Sequence, residues 1–138
     1  MRAVVQRVSR AVVDADGERV AAIGPGLLVL LGVTHDDGPE HADRLADKVR
    51  ALRVFADGDG RMNDPLGDRQ VLCISQFTLY GDARRGNRPS YVAAARPEHA
   101  EPLYGRFCDR LDAARGVFGA AMAVELVNDG PVTLLLET

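Results

Sequence analysis

Tryptophan is absent from the 138 residues, lysine occurs once, at Lys48, and cysteine twice, at Cys73 and Cys108. With aromatics at 5%, the core has to be aliphatic. No CxxC and no Cys/His cluster is present, so no zinc site is expected. No other metal and no cofactor is expected either. Cys73 sits in an apolar run and Cys108 in a helical pattern, and both read as small core residues. Long hydrophobic runs are missing as well. No segment approaches the roughly 20 apolar residues of a membrane span, and the opening MRAVVQRVSR lacks the apolar stretch of a signal peptide. The expectation is a cytoplasmic protein with no membrane contact. No GxSxG elbow, Walker loop or HExxH motif occurs.

The net charge of −3 argues against a dedicated, tight nucleic-acid binder, whose affinity comes mostly from neutralised phosphates. It does not exclude an enzyme that meets RNA briefly at one end. What positive charge there is comes almost entirely from arginine, which forks onto phosphates better than lysine.

The length fits one compact domain, 1–138, large enough to bury its own core. Val4, Val5 and Val8 open a β-branched strand, and Asp16-Gly17 is a hairpin signal. LLVLLGV (27–33) and VLCIS (71–75) are continuous apolar runs, as in strands covered on both faces. Ala42, Leu45, Ala46, Val49 and Leu52 recur at helical spacing within 39–52, with Pro39 suited to a first turn. Residues 56–69 read as a loop, and so does the basic stretch 81–90. Pro97 opens a second helix with Ala100, Leu103, Tyr104, Phe107 and Leu111 on one face, and Gly116 suits its end. Two closing strands, about 120–127 and 132–137, flank Asn128-Asp129-Gly130-Pro131. The class is α/β: a β-rich single domain, mixed sheet or barrel-like core, with two main helices.

Three segments can carry chemistry. Ser75-Gln76-Phe77-Thr78-Leu79-Tyr80 leaves a buried strand for a polar loop, a common place for catalytic groups. Ser75 and Thr78 offer hydroxyls, and Gln76 offers an amide for a carbonyl or an oxyanion. The plainer reading is a strand end whose polar groups satisfy local backbone. No activating base is visible beside the hydroxyls, and without one they are poor nucleophiles. Asn128-Asp129-Gly130-Pro131-Val132-Thr133 reads as a tight hairpin turn. A cis bond at Gly130-Pro131 would instead redirect its carbonyls into a rigid acceptor pair for an amine. Arg84, Arg85 and Arg88 form either a solvated loop or a phosphate contact beside the active segment. His41 and His99 fall early in the helices, on solvent faces; His35 follows the LLVLLGV strand and could approach a site.

SQFTLY (75–80) and NDGPVT (128–133) together resemble the two signature segments of D-aminoacyl-tRNA deacylases. VVQRVSRAVV (4–13), IGPGLLVLLGV (23–33), KVRALRVFAD (48–57), GRMN (60–63), GNRPSY (86–91) and LVNDGPVTLLLE (126–137) fit the same family. The stretch between Asn63 and Val71 and the region around Gly116 are shorter than in some members. The resemblance implies hydrolysis of the ester of D-aminoacyl-tRNA, and of glycine mischarged on tRNA, as chiral proofreading in translation. It implies a homodimer with active sites at the interface, each receiving the terminal adenosine and its amino acid. Gly130-Pro131, cis in that family, enters the partner's pocket; its carbonyls meet the substrate amine and leave no room for an L side chain. Ser75, Gln76, Phe77 and Thr78 form the opposite wall, with Ser75 and Gln76 on the scissile carbonyl or the ribose and Thr78 at the position of a candidate nucleophile. Asn128 belongs to the motif that meets substrate, and Arg7 braces it. The resemblance also implies that a ribose hydroxyl of the terminal adenosine helps to activate water. The rivals are a non-catalytic RNA-binding or editing-like module, such as the related appended domain of some threonyl-tRNA synthetases, and a hydrolase of small D-amino acid esters or amides that uses no RNA.

Overall fold

A computed structural model describes residues Met1–Thr138. In chain order the elements are β1 (Arg2–Ala15), β2 (Glu18–Ile23), β3 (Gly26–Gly32), α1 (Pro39–Ala51), β4 (Phe55–Ala56), β5 (Met62–Asp64), β6 (Gln70–Ser75), a 3-10 turn (Phe77–Tyr80), α2 (Pro97–Leu111), β7 (Ala114–Arg115) and β8 (Met122–Glu137). No helix is long and apolar enough to cross a membrane.

β1 organises the sheet. One edge of it pairs with β3 through its first half and with β2 through its second, while the other edge pairs antiparallel with β8 along nearly its whole length. The β1–β2 hairpin turns at Asp16 and Gly17, both at positive φ, as an Asp-Gly turn requires. β6 then runs parallel to β3, and β7 parallel to β6, so the sheet is mixed. Parallel neighbours need long crossovers. The two crossovers here contain α1 and α2, which pack against each other.

Each face of the sheet buries its own apolar set. Leu27, Val29 and Leu31 of β3 and Val71 and Cys73 of β6 point toward the helices, where Leu45, Val49, Leu103 and Phe107 complete the main core. Their alternates, Leu28, Leu72 and Ile74, join Val8, Val13 and Ile23 in a second cluster on the opposite face. β2 comes close to β6 and β7, so the sheet curls into a nearly closed barrel around that cluster. Alternating residues sent to two dry faces are what make 27–33 and 71–75 continuous apolar runs. Both cysteines are buried and unpaired, and burial pushes the Cys73 thiol up.

Three sequence expectations need correction. Residues 120–127 and 132–137 are not two strands joined by a hairpin turn. They are one strand, β8, and both halves pair with the same β1. Between Gln6 and Val8 of β1, β8 runs from Thr133 back to Asn128, so Asp129–Val132 bulge out of the ladder. The local chemistry of Asn-Asp-Gly-Pro suits either outcome, and the long-range pairing with β1 decides it. Residues 56–69 are not all loop, because β4 and β5 form a short antiparallel ladder there. α2 ends at Leu111 with Asp112 in the left-handed region, its N–H bonded to the carbonyls of Asp109 and Cys108, and not at Gly116. The short strand β7 follows at once, pulled into extended conformation by β6.

Candidate active site

The carboxyl ends of parallel strands are where α/β sheets hold ligands. β3 and β6 end side by side, with Leu31 level with Ser75. Beyond them lies an open cavity of about 520 Å3. Its walls are Ser75, Gln76 and Phe77 on one side, Tyr91, Ala94 and Ala95 on another, and Phe118, Gly119, Ala120 and Met122 on a third. The lining is mostly apolar, with a few polar atoms gathered at the strand end, as in small-molecule sites generally.

Local hydrogen bonds fix the Ser75–Tyr80 segment. The Gln76 N–H donates to the Leu31 carbonyl at 2.7 Å, which keeps the chain on the sheet one residue past β6. The 3-10 turn then closes with Leu79 N–H on the Gln76 carbonyl and Gly81 N–H on that of Thr78. Only glycine fits at 81: a Cβ there would lie 2.8 Å from the Tyr91 ring and 2.9 Å from the Thr78 carbonyl oxygen. That close approach sets Tyr91 edge-on to Phe77, ring centroids 5.2 Å apart, at the cavity mouth. Phe77 is 56% exposed and Tyr91 41% exposed, unusual for aromatic rings in a chain with few of them. Behind the wall, the buried Tyr104 hydroxyl donates to the Cys73 carbonyl at 2.8 Å and its ring packs on Phe118.

Thr78 does not line the cavity. Its Oγ1 accepts a hydrogen bond from Gln76 Nε2 at 2.5 Å. The contact holds the Gln76 amide in place and leaves no base beside the hydroxyl. The one ionisable side chain on the cavity wall is Tyr91. His35 is turned away, with Nε2 2.7 Å from the Val92 carbonyl oxygen. His41 and His99 cap and tie loops, through Gly38 N–H and the Asp37 carbonyl. The polar groups this cavity offers a ligand are amide, hydroxyl and main-chain ones, and no triad stands beside them.

The second signature segment lies elsewhere in the same chain. No residue from Asn128 to Thr133 lines the cavity. Ser75 belongs to the row Ser75–Leu31–Ala3–Leu136, whereas Asn128 belongs to the row Asn128–Val8–Gly26. From Ala3 to Gln6–Val8 is about 10–17 Å along β1, and β6 is three strand spacings of about 4.8 Å from β8. The bulge at 129–132 is rigidly held. Val132 plugs into the main core, Asn128 Nδ2 donates to the carbonyls of Arg7 and Val132, and Arg7 Nε donates to the Asp129 carbonyl at 3.0 Å. The Arg7 guanidinium also bonds the Val54 carbonyl. Asp129, Gly130 and Pro131 face solvent, and the Gly130-Pro131 peptide is cis.

Tyr91, Ala94, Phe118 and Met122 carried no site assignment in the sequence. Tyr91 closes the GNRPSY match and could have been found there; the other three have no local signature.

Comparison with known proteins identifies what class of protein carries this arrangement. A family described as D-Tyr-tRNA(Tyr) deacylase matches residues 4–137. A D-aminoacyl-tRNA deacylase of Symbiobacterium thermophilum is 57% identical over 145 positions, covering 100% of this chain and 96% of that protein. The corresponding protein of Thermus aquaticus is 52% identical, covering 100% of this chain and 95% of its own. Among solved structures, the c-Myc DNA Unwinding Element Binding Protein superposes with a TM-score of 0.93 at 40% identity, covering 100% of this chain and 99% of that one. A probable eukaryotic D-amino acid tRNA deacylase shares the fold, with a TM-score of 0.84 at 15% identity, covering 98% of this chain and 97% of that one. The chain belongs to the D-Tyr-tRNA(Tyr) deacylase family.

Proposed function

We propose that residues 1–138 act as one D-aminoacyl-tRNA deacylase domain, cleaving the ester between a D-amino acid, or mischarged glycine, and the terminal adenosine of tRNA. The reading rests on full-length family membership and on one structural observation: within one chain the SQFTLY cavity and the Gly130-Pro131 bulge occupy different rows of the sheet. A second copy of the chain completes the site. β8 has β1 as its only neighbour, so its outer edge is unpaired and carries exposed Val127, Leu134 and Leu135. Long apolar edges of this kind invite pairing or burial by another chain.

In the completed site, the main-chain carbonyls of the partner's Gly130 and Pro131 receive the substrate amine. Rigid backbone reads handedness at Cα and ignores side-chain identity, so many D-residues are accepted, glycine passes, and an L side chain clashes. Ser75 and Gln76 hold the scissile carbonyl, Phe77 flanks the terminal adenosine, and Thr78 orients Gln76. Water adds to the ester carbonyl, assisted by the neighbouring ribose hydroxyl, and the ribose oxygen leaves with a proton. Asn128 and Arg7 act as positioning residues for the inserted motif. No metal or cofactor takes part, and the work is done in the cytoplasm, where aminoacyl-tRNA is made and used.

Deacylation of matched D- and L-tyrosyl-tRNA in EDTA tests this reading. Loss of the D ester alone is expected. Hydrolysis of both would overturn the role of Gly130-Pro131, and hydrolysis of neither would favour a binding module.

A further inference from the structure

Of the sixteen arginines in this chain, all but four are committed. Most hold a carboxylate or a main-chain carbonyl, as in Arg106 on Asp43, Arg110 on Asp47 and Arg115 on Asp109. Arg44, Arg61, Arg85 and Arg88 make neither a side-chain hydrogen bond nor an ion pair. Arg44 lies on α1 and Arg61 beside β5, and neither element lines the cavity. Arg85 and Arg88 share one loop.

That loop is held in shape although its tip is exposed. Asp82 and Ser90 exchange main-chain hydrogen bonds at 2.7 and 2.9 Å across its base. Arg84 forks onto Asp82 at 2.9 and 2.7 Å, and the Asp82 carboxylate also accepts the Arg84 N–H. Asp82 is the only acidic residue from Gly81 to Arg96, and Arg84 neutralises it; Arg96 pairs with Glu98. The loop therefore presents two uncompensated guanidinium groups on a chain whose net charge is −3. The residue after its base is Tyr91, a wall of the cavity. Arg88 is three residues from Tyr91, so it stands within about 10 Å of chain from the cavity mouth.

We infer that Arg85 and Arg88 bind the phosphodiester backbone of the unpaired 3′ end of tRNA, just outside the cavity that takes its last nucleotide. The inference rests on the deacylase reading for the identity of the RNA. Guanidinium forks fit phosphate oxygens, and contacts of this kind set position without reading sequence. The loop thus docks the strand while the cavity inspects the amino acid, so one surface serves many tRNAs. Of the three arginines the sequence singled out, Arg84 shapes the loop and the other two meet the ligand.

The test measures binding of a fluorescent acceptor-stem microhelix with its unpaired 3′ end, across a salt series, alongside hydrolysis of D-tyrosyl-tRNA and of D-tyrosyl-adenosine, which has no phosphodiester. A single-strand phosphate contact contributes about 0.7 to the slope of log affinity against log salt, so the R85Q/R88Q variant is expected to lose about 1.4. Its KM for D-tyrosyl-tRNA should rise about tenfold at low salt with kcat held, and its hydrolysis of D-tyrosyl-adenosine should not change. The R44Q/R61Q variant, equal in net charge, should keep the wild-type slope. Equal slopes for R85Q/R88Q and wild type overturn the inference, as does an equal loss in R44Q/R61Q. If wild type hydrolyses neither ester while the slope difference stands, the deacylase reading fails and the RNA surface remains.

Discussion

Arg7 and Asn128 hold each other across the gap in the β1–β8 ladder. The Asn128 amide donates to the Arg7 carbonyl at 2.9 Å, and the Arg7 guanidinium reaches past it to the carbonyl and carboxylate of Asp129. Residues 129–132 could otherwise flap, since they have no partner strand. The pair turns a break in the sheet into a fixed projection, with Gly130 and Pro131 at its exposed tip.

Arg7→Ala should therefore lower activity more than stability. It removes charged hydrogen bonds to Val54 and Asp129, a loss of about 2 kcal/mol or a few degrees in Tm. A fall in kcat/KM of tenfold or more on D-tyrosyl-tRNA is expected from the loosened bulge. Calorimetry beside single-turnover deacylation checks this, and activity falling only in step with the folded fraction would count against it.

Thr78→Ala should leave at least a tenth of the wild-type kcat, because the Thr78 hydroxyl is engaged by the Gln76 amide and has no base beside it. Gln76→Ala removes the donor itself and should cost on the order of a hundredfold in kcat, as lost oxyanion donors do. Thr78→Ser should restore the wild-type rate. Complete loss in a folded Thr78→Ala protein would mark Thr78 as the nucleophile.

Gly81→Ala places a methyl group against the Tyr91 ring and the Thr78 carbonyl. Overpacking of this kind costs about 1–3 kcal/mol. The displaced Tyr91 should also raise KM for D-tyrosyl-adenosine. Unchanged Tm and KM would show that the turn accommodates a side chain and that Tyr91 does not shape the mouth.

The Arg84 fork holds the Asp82 carboxyl down to about 2. Because the folded value is depressed, the contact helps the fold above the ordinary carboxylate range and is lost only as pH falls through about 2. Carboxyl carbon NMR should find Asp82 still ionised at pH 3. A midpoint near 4 would mean that Arg84 is not engaged, and Arg84→Gln should raise the midpoint while the main-chain N–H of residue 84 still holds part of the shift.

Much of this was legible in the sequence, where one local pattern has one outcome. The apolar runs at 27–33 and 71–75, the helical spacing from Ala42 to Val49 and the Asp16-Gly17 turn belong to that kind. Asn128–Pro131 belongs to the other, since turn residues mark a change of direction without saying what the chain pairs with afterward. The cavity was half legible. Ser75–Phe77 lie in a signature segment, but Ala94, Phe118 and Met122 are ordinary apolar residues: Phe118 and Met122 reach the site because α2 and β7 bring the chain back beside β6, and Ala94 because it bridges to Thr34 just past β3. The separation of the two signature segments within one chain depends on strand register, which no local pattern fixes.

Mixing two inactive variants, Gln76→Ala and Gly130→Val, tests whether the site is shared between two copies. With a shared site, each homodimer would lack one half of every site. A mixed dimer has one site with both halves intact, so random exchange should restore about a quarter of wild-type sites. Activity near that level on D-tyrosyl-tRNA, with L-tyrosyl-tRNA still spared, is the predicted result. No recovery when mass spectrometry shows the mixed dimer present would rule out a site shared between the two copies.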